Sequence, residues 1–444
     1  MSTSSRRDFL KKSVLASAGA AVMPVFAWAP RAYANNSPNE RPGVGQIGLG
    51  GMGTWDARDH MAFGDVLICC DLDGSHAGRA IGQDSIGHRQ AIAVTDYRRV
   101  LDRDDIAVVS IATPDHWHVK IAIEALEAGK HVFCQKPLTL TLEENQLIRR
   151  ACQKYKDQVF FIGTQQRSDK DRFLRAVNMV QKGLLGDIKK VTCSVGGGDV
   201  GGPFEKAEVP RELDWERWLG QAPVVDFRTE RCHNSFRWWY EYSGGKFTDW
   251  GAHHVDIALW ALDRNSEGQG PISFDGTDAQ HPVPYEHGYT KVDDSFNTAS
   301  DYAVVATFDD GIEMIVTSRG DNGLLFEGTK GRMFVSRGRI TGTPIEENWD
   351  DGAFTQADLE RLYKGKPFEG HKNNFYRCIA EGGLPVSDVY SHLQTMNSCH
   401  LSAIAARLGR VITWDPKAEQ ITGDPEAAAF FARERRKGYE IPKV

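Results

Sequence analysis

Val44-Gly45-Gln46-Ile47-Gly48-Leu49-Gly50-Gly51-Met52-Gly53 reads as a short buried strand that runs into a G-x-G-x-x-G turn at Gly48, Gly50 and Gly53. Glycine at the first position permits a tight turn, at the second lets a pyrophosphate approach the backbone, and at the third lets helix and strand pack closely. Thr54 to Phe63 continues as a helix, whose unpaired N–H groups face the phosphate charge. A second strand, Asp65 to Asp71, ends in an acid 18 residues after Gly53. That is near the roughly 20 residues expected for the carboxylate that holds the ribose hydroxyls. Gly48, Gly50, Gly51, Met52, Gly53 and Asp71 are therefore the first candidate residues of a dinucleotide site.

Alternation of strand and helix continues to about residue 160. Ile106 to Ala112 is a continuous apolar run, as a strand buried on both faces requires, and Thr113-Pro114 ends it. Val119–Ala128 is helical, Lys130–Cys134 a strand, Leu142–Tyr155 helical, and Val159–Gly163 a last strand. This pattern predicts a doubly wound parallel sheet over 42–163, with ligands at the carboxyl ends of its strands. The texture then changes. A helix over 169–183 and a strand over 188–195 are followed by a Gly/Pro-rich loop from Gly196 to Pro210. Alternating runs at 302–308, 312–318, 324–328 and 332–336, separated by glycine turns, predict an antiparallel sheet, with helices at 371–381 and 388–408. Residues 164–444 thus form a second, α+β unit.

Hydrophobic content of 41% and charged content of 25% are those of a globular protein. The first 34 residues carry five basic side chains against one acid, so the remainder stands at −11 rather than −7. That balance argues against a nucleic-acid partner, because phosphate binding needs a basic face. Residues 1–34 read as an export signal: a twin-arginine pair at Arg6-Arg7, a mildly apolar run from Ser13 to Trp28, and Ala32-Tyr33-Ala34 as a cleavage site. The run is too short and too rich in Ala and Gly to span a membrane well. Residues 35–41 are a polar linker, and the expected location is the periplasm. The eight cysteines contain no C-x-x-C, and Cys69, Cys70, Cys134, Cys152, Cys378 and Cys399 sit in apolar runs, so buried thiols are expected.

Strand ends carry the chemistry in such a sheet. Thr113, Pro114 and His118 end one strand, and Gln135 and Lys136 end another. A lysine beside a nicotinamide can donate to a substrate hydroxyl and move its proton. A second constellation, Asp249-Trp250-Gly251-Ala252-His253-His254, places Asp249 and His253 four apart, where the carboxylate can orient the imidazole. His254 projects about 100° away from His253 on a helix, so no metal is expected there. Six of the eleven tryptophans fall between Trp215 and Trp260, and one or two of them can stack on sugar faces.

The ordered set of motifs resembles the glucose–fructose oxidoreductase / inositol dehydrogenase / rhizopine-catabolism family, over nearly the whole chain after the signal. The motifs are the glycine turn, Thr113 to His118, Lys136-Pro137, Asp249 to His253, and Gly328-Thr329-Lys330-Gly331. The resemblance implies a Rossmann domain followed by an α+β domain with a large open, mainly antiparallel sheet that supports dimers or tetramers. It implies Lys136, His253 and Asp249 as the catalytic group, and Lys136, Gln166, Arg167, Trp238, Asp249 and His253 as contacts to a carbohydrate. The implied cofactor is NAD; Asp71 repels a 2′-phosphate, but Ser75 and Arg79 leave NADP open. The family has Glu before Lys-Pro, and this chain has Gln135, which removes a negative neighbour of Lys136. Free nicotinamide is not expected outside the cytoplasm, so the cofactor should stay bound through turnover. The expected activity is hydride exchange with a sugar carbinol. The alternatives are a redox-neutral glycosidase or epimerase working through a transient keto-sugar, and a silent sugar-binding protein.

Overall fold

The computed structural model describes residues 41–348 and 354–444. Residues 1–34, read above as an export signal, and all of the expected linker except Arg41 lie outside the described residues. Six parallel strands form the first sheet: β1 (Gly43–Ile47), β2 (Asp65–Cys70), β3 (Ile92–Val94), β4 (Ile106–Ile111), β5 (His131–Cys134) and β6 (Phe160–Ile162). Their order is β3-β2-β1-β4-β5-β6, the doubly wound arrangement whose switch point lies between β1 and β4. Gly48 has φ of +83°, and a Cβ there would come within 2.5 Å of the Ala112 carbonyl oxygen at the end of β4. A Cβ at Gly53 would meet the Gly48 carbonyl at 2.0 Å. These two glycines are what allow the helix Gly51–His60 to start hard against β1 and β4.

The second sheet has ten strands. They are β7 (Ile188–Ser194), β8 (Ser273–Asp275), β9 (Ala279–Gln280), β10 (Asp301–Thr307), β11 (Glu313–Thr317), β12 (Gly323–Gly328), β13 (Gly331–Val335), β14 (Ile340–Gly342), β15 (Val411–Asp415) and β16 (Gln420–Thr422). Antiparallel pairing dominates, as expected, with one departure: β7 and β11 run parallel. Along β10 the burial alternates strictly. Its inward residues Tyr302, Val304 and Ala306 pack under the helices, while Val305 continues into a row on the other face. Val305 faces Ile315, Ile315 faces Thr192, Thr192 faces Leu325, and Leu325 faces Phe334. All five are partly exposed, so five strands present one mostly apolar stripe.

One helix joins the two halves. On Val389–Leu408, Val389 and Leu393 pack into the first sheet's cluster with Ile123 and Ile148. Met396, Leu401 and Ala405 join the cluster beneath the second sheet. Its hydrophobic face is not a narrow stripe because it is buried almost all round. The helix expected over 169–183 is divided: Lys170–Leu174 is a π-turn that feeds the α-helix Arg175–Gln181. All eight cysteines are free and buried, in line with the sequence reading.

A buried ionic group also crosses between the halves. Asp56, one helical turn past the glycine loop, accepts from Lys372 Nζ at 2.8 Å and from Gln135 Nε2 at 2.7 Å. Lys372 sits on the helix His371–Glu381 and lies 3.7 Å from the Phe133 ring centre. Removing one partner of a buried pair strands the other charge. Lys372→Ala is therefore expected to lower unfolding free energy by about 3–5 kcal/mol; chemical denaturation that shows less than about 1 kcal/mol would deny this group its structural role.

Candidate functional site

A cleft of about 660 Å³ opens at the carboxyl ends of the first sheet. It is lined by Gly48, Gly50, Gly51, Met52, Gly53, Asp71, Thr113, Pro114, His118, Gln135 and Lys136, which brings every sequence-predicted cofactor residue to one place. Gly50 and Gly51 have no atom within 4 Å of where a Cβ would stand, so the loop leaves open space toward the cleft. That open cradle at a helix start fits a pyrophosphate. The cleft is also walled by Arg217, Trp218 and the segment His233–Arg237, and by Tyr439 near the chain end. The tail is tied down where Lys120 Nζ donates to the Glu440 carbonyl at 2.7 Å and Arg436 Nε donates to the Gly220 carbonyl at 2.6 Å.

Asp71 is held by the glycine loop and by its own. Its carboxylate accepts from the Leu49 N–H at 2.7 Å and the Asp73 N–H at 2.9 Å. His118 is a tie between strand ends: its ring nitrogens lie 2.7 Å from the Pro137 carbonyl and 2.9 Å from the Thr113 carbonyl. Burial pushes its pKa down to about 4 against those two partners. Thr113 Oγ1 is buried without a partner. Gln135 answers the question raised by the missing glutamate. Its amide donates to the buried Asp56, where a glutamate would set two carboxylates against each other with only Lys372 to offset them.

Lys136 meets the second half of the chain here. Its Nζ lies 2.6 Å from Asp249 Oδ1 and 3.0 Å from the Asp249 carbonyl, with both side chains 13% exposed. Arg237 and Lys246 approach the same carboxylate at 3.5 and 3.6 Å. Burial alone would raise the pKa of Asp249; the charges of Lys136 and Arg237 outweigh it and hold the group well below the usual carboxylate range.

The expected Asp249–His253 pairing gives way to this one. Trp250 joins two helical segments, Lys246–Asp249 and Gly251–Ala261, and Asp249 ends the first with its carboxylate on Lys136. A full positive charge outcompetes a neutral imidazole for a partly buried carboxylate. His253 is 4% exposed, and its Nδ1 is buried without a partner. Burial first, then the charge of Lys136, holds its pKa well below normal, so the ring is neutral. Gln166 is 3% exposed, and both of its amide atoms are likewise buried and unpartnered. Polar atoms of this kind are the ones that a ligand's hydroxyls can satisfy.

Two expected substrate contacts are placed elsewhere. Arg167 spends its guanidinium on Asp256, at 2.6 and 2.8 Å, and on the Val386 carbonyl at 2.7 Å. It borders a separate groove of about 1010 Å³ that also includes Trp260 and Lys364. Trp238 is 8% exposed in a cluster with Trp215, Trp218 and Trp239, and Lys246 lies between it and Asp249, 5.2 Å from its ring centre. Trp250 is the partly exposed member of the six, with its ring centre 6.0 Å from that of His253. Reading the sequence put Asp115 in the stretch that borders the cofactor but gave it no role of its own. The residue lines the cleft, is 4% exposed, and its carboxylate accepts from Ser243 Oγ at 2.5 Å. Its position inside Thr113–His118, one residue past the strand-ending proline, was the available signal.

A doubly wound sheet with a glycine cradle, joined to an open mixed sheet across one cleft, defines a nucleotide-dependent two-domain enzyme fold. The profile of the oxidoreductase family's NAD-binding Rossmann fold matches residues 43–163, and that of its C-terminal alpha/beta domain matches 175–341. The chain belongs to this family, Gfo/Idh/MocA. A glycosyl hydrolase family 109 protein of Shewanella baltica (strain OS195) is 31% identical over 207 residues, 41% of this chain and 44% of that protein. An alpha-N-acetylgalactosaminidase of Shewanella oneidensis is 33% identical over 153 residues, 33% of each chain. The chain thus spans less than half the length of these curated relatives. Levoglucosan dehydrogenase, in complex with NADH and L-sorbose, shares the fold with a TM-score of 0.58 at 18% identity, over 84% of this chain and 98% of that one. Aldose-aldose oxidoreductase from Caulobacter crescentus does so with a TM-score of 0.57 at 16% identity, over 84% and 99%.

Burial raises the pKa of Asp115 to about 7, against the lowering effects of Ser243, Arg237 and Lys136. Its unfolded value is 3.8, so the folded state binds more protons between the two values and stability falls as pH rises through that window. Asp115→Asn is expected to flatten this fall between about pH 4 and 7 and to gain stability relative to wild type at pH 8. Parallel stability curves for the two proteins would contradict that assignment.

Proposed function

We propose that the chain is an oxidoreductase that acts on a carbinol of a sugar or sugar derivative, with a nicotinamide dinucleotide retained in the cleft. The observation that carries this reading is the 2.6 Å contact between Lys136 Nζ and Asp249 Oδ1 at the edge of that cleft. Gly50 and Gly51 would hold the pyrophosphate, and Asp71 the ribose. When bound, the nicotinamide supplies the acceptor or donor of the hydride. Lys136 then hydrogen-bonds the carbinol oxygen and stabilises negative charge that develops there, while Asp249 fixes the direction of the ammonium group. His253, kept neutral, has a nitrogen free to take the hydroxyl proton. NAD is the favoured cofactor because Asp71 repels a 2′-phosphate.

Retention of the cofactor is supported by the walls that His233–Arg237 and Tyr439 add to the cleft. It also suits the export proposed from Arg6-Arg7, since a periplasmic enzyme has no free nicotinamide pool to draw on. A second reading, redox-neutral cleavage or epimerisation of a glycoside through a transient keto-sugar, is favoured by the glycosidase relatives. We further propose a homo-oligomer in which a second copy covers the stripe of Val305, Ile315, Leu325 and Phe334. No described helix is long and apolar enough to cross a membrane.

Mass spectrometry of the denatured protein is expected to find NAD carried through purification; protein that is empty and exchanges free NAD rapidly contradicts the retention. Incubation with candidate sugars should then change nicotinamide absorbance. Release of nitrophenol from nitrophenyl glycosides with no net change in absorbance would select the redox-neutral reading. Absorbance that never moves despite measurable sugar binding would make the chain a binder. Lys136→Ala and His253→Ala should each lower turnover by roughly 100-fold or more with bound nucleotide retained; near-normal turnover in either removes that residue from the mechanism. Light scattering is expected to show a dimer or tetramer that Leu325→Glu dissociates, and a wild-type monomer would refute the stripe as an interface.

A further inference from the structure

At the other end of the cleft, away from Lys136, three side chains from two parts of the chain converge. Asp73 Oδ2 lies 3.3 Å from His233 Nε2 and 3.9 Å from His76 Nε2. The three donor atoms all fall within 4.8 Å of one another. We propose that Asp73, His76 and His233 form a binding site for a divalent transition metal of the zinc class.

The donor set and spacing carry the inference. Two imidazoles and one carboxylate are a frequent three-ligand set for zinc, and bonds of about 2.0–2.2 Å in tetrahedral geometry put ligand atoms about 3.3–3.6 Å apart. The two separations from Asp73 bracket that range and the two imidazole nitrogens lie within 4.8 Å of each other, so side-chain rotations close the site. The ligands are already oriented for it. Asp73 Oδ1 is occupied by the Ser75 N–H at 2.9 Å and the Ser75 hydroxyl at 2.5 Å, which turns Oδ2 toward the histidines. His76 Nδ1, the nitrogen that would not bind metal, lies 3.5 Å from Asp71 Oδ2. A carboxylate behind a ligating histidine is the usual way its ring is aimed. His233 adopts φ of +51°, a left-handed conformation that a non-glycine residue rarely takes, and it brings the ring to 4.6 Å from that of His76. Local backbone strain of this sort persists where the surroundings require the placement.

The site is partly open. The His233 side chain is 44% exposed, whereas His76 and Asp73 are 17% and 10% exposed, which leaves room for a water as fourth ligand. This is the arrangement of a metal that can exchange rather than one that is sealed in. His76 and His233 both line the cofactor cleft, His76 from the first unit and His233 from the segment that roofs it. A metal there pins the roof to the end of β2, beside Asp71. The metal thus acts as a clasp on the cofactor's entrance and takes no part in the chemistry at Lys136, so the site stands or falls independently of the sugar reading.

Tag-free protein, purified with its nucleotide and stripped of metal by chelator, is titrated with zinc, and with cobalt to report geometry. One zinc per chain is expected, with the visible absorption of four-coordinate cobalt, and with binding weaker in His233→Ala by at least the roughly 10- to 100-fold that loss of an outer-shell partner causes. His76→Ala, whose fold is checked by near-ultraviolet dichroism, should weaken it by a similar factor. Absence of stoichiometric zinc on the wild-type protein overturns the proposal. Binding that both variants leave unchanged also overturns it, because the metal then sits elsewhere.

Discussion

The contact between Lys136 and Asp249 is the interaction on which the arrangement depends. It is a partly buried charge pair between residues 113 positions apart, one on each half of the chain. Lys136 stands at the end of β5, directly after Gln135, and Gln135 is fixed by Asp56. Asp56 in turn belongs to the helix that begins at the glycine loop, and Lys372 from the second half completes its pairing. Cradle, lysine and second domain are therefore one hydrogen-bonded assembly rather than three features that happen to be close. The Val389–Leu408 helix supplies the apolar counterpart, since its two ends pack into different clusters.

Electrostatics divides the labour at this point. Asp249 is kept ionised by three nearby cations, Asp115 is kept close to neutral pH by burial, and His253 is kept uncharged. Groups of opposite tendency thus sit around Lys136, with Asp115 lining the cleft and Asp249 and His253 behind it, the condition under which one side chain can hold charge while another moves a proton. Gln135 fits the same pattern. Its amide satisfies Asp56 without adding negative charge, so the departure from the family's glutamate is matched by the buried acid behind it.

The parallel sheet was legible because most of its strands are short apolar runs bounded by glycine and proline, and their length and those breakers favour buried strands over helix. β3 escaped because its apolar stretch, Ala91–Val94, is only four residues long, and two of the three strand residues are exposed. The π-turn at Lys170–Leu174 has no sequence mark, since its altered hydrogen bonding is not encoded by side-chain period. In the site, residue identities were easier to read than partners. Asp249 and His253 have helical spacing, but spacing cannot reveal that Lys136 competes for the carboxylate from 113 residues away. Arg167 fails for the same reason: its partner Asp256 is distant in sequence and wholly buried. His76 and His233 carry no shared motif at all, and only the fold brings their rings together.

The central claim is that Lys136 and Asp249 act as a unit on one substrate oxygen. A double-mutant cycle on the rate of nicotinamide absorbance change, with Lys136→Ala, Asp249→Asn and the double variant, tests it most directly. If they act as a unit, the double variant is about as slow as the slower single variant, because each substitution already removes what the other would. Losses that multiply in the double variant, as for independent sites, would contradict the claim.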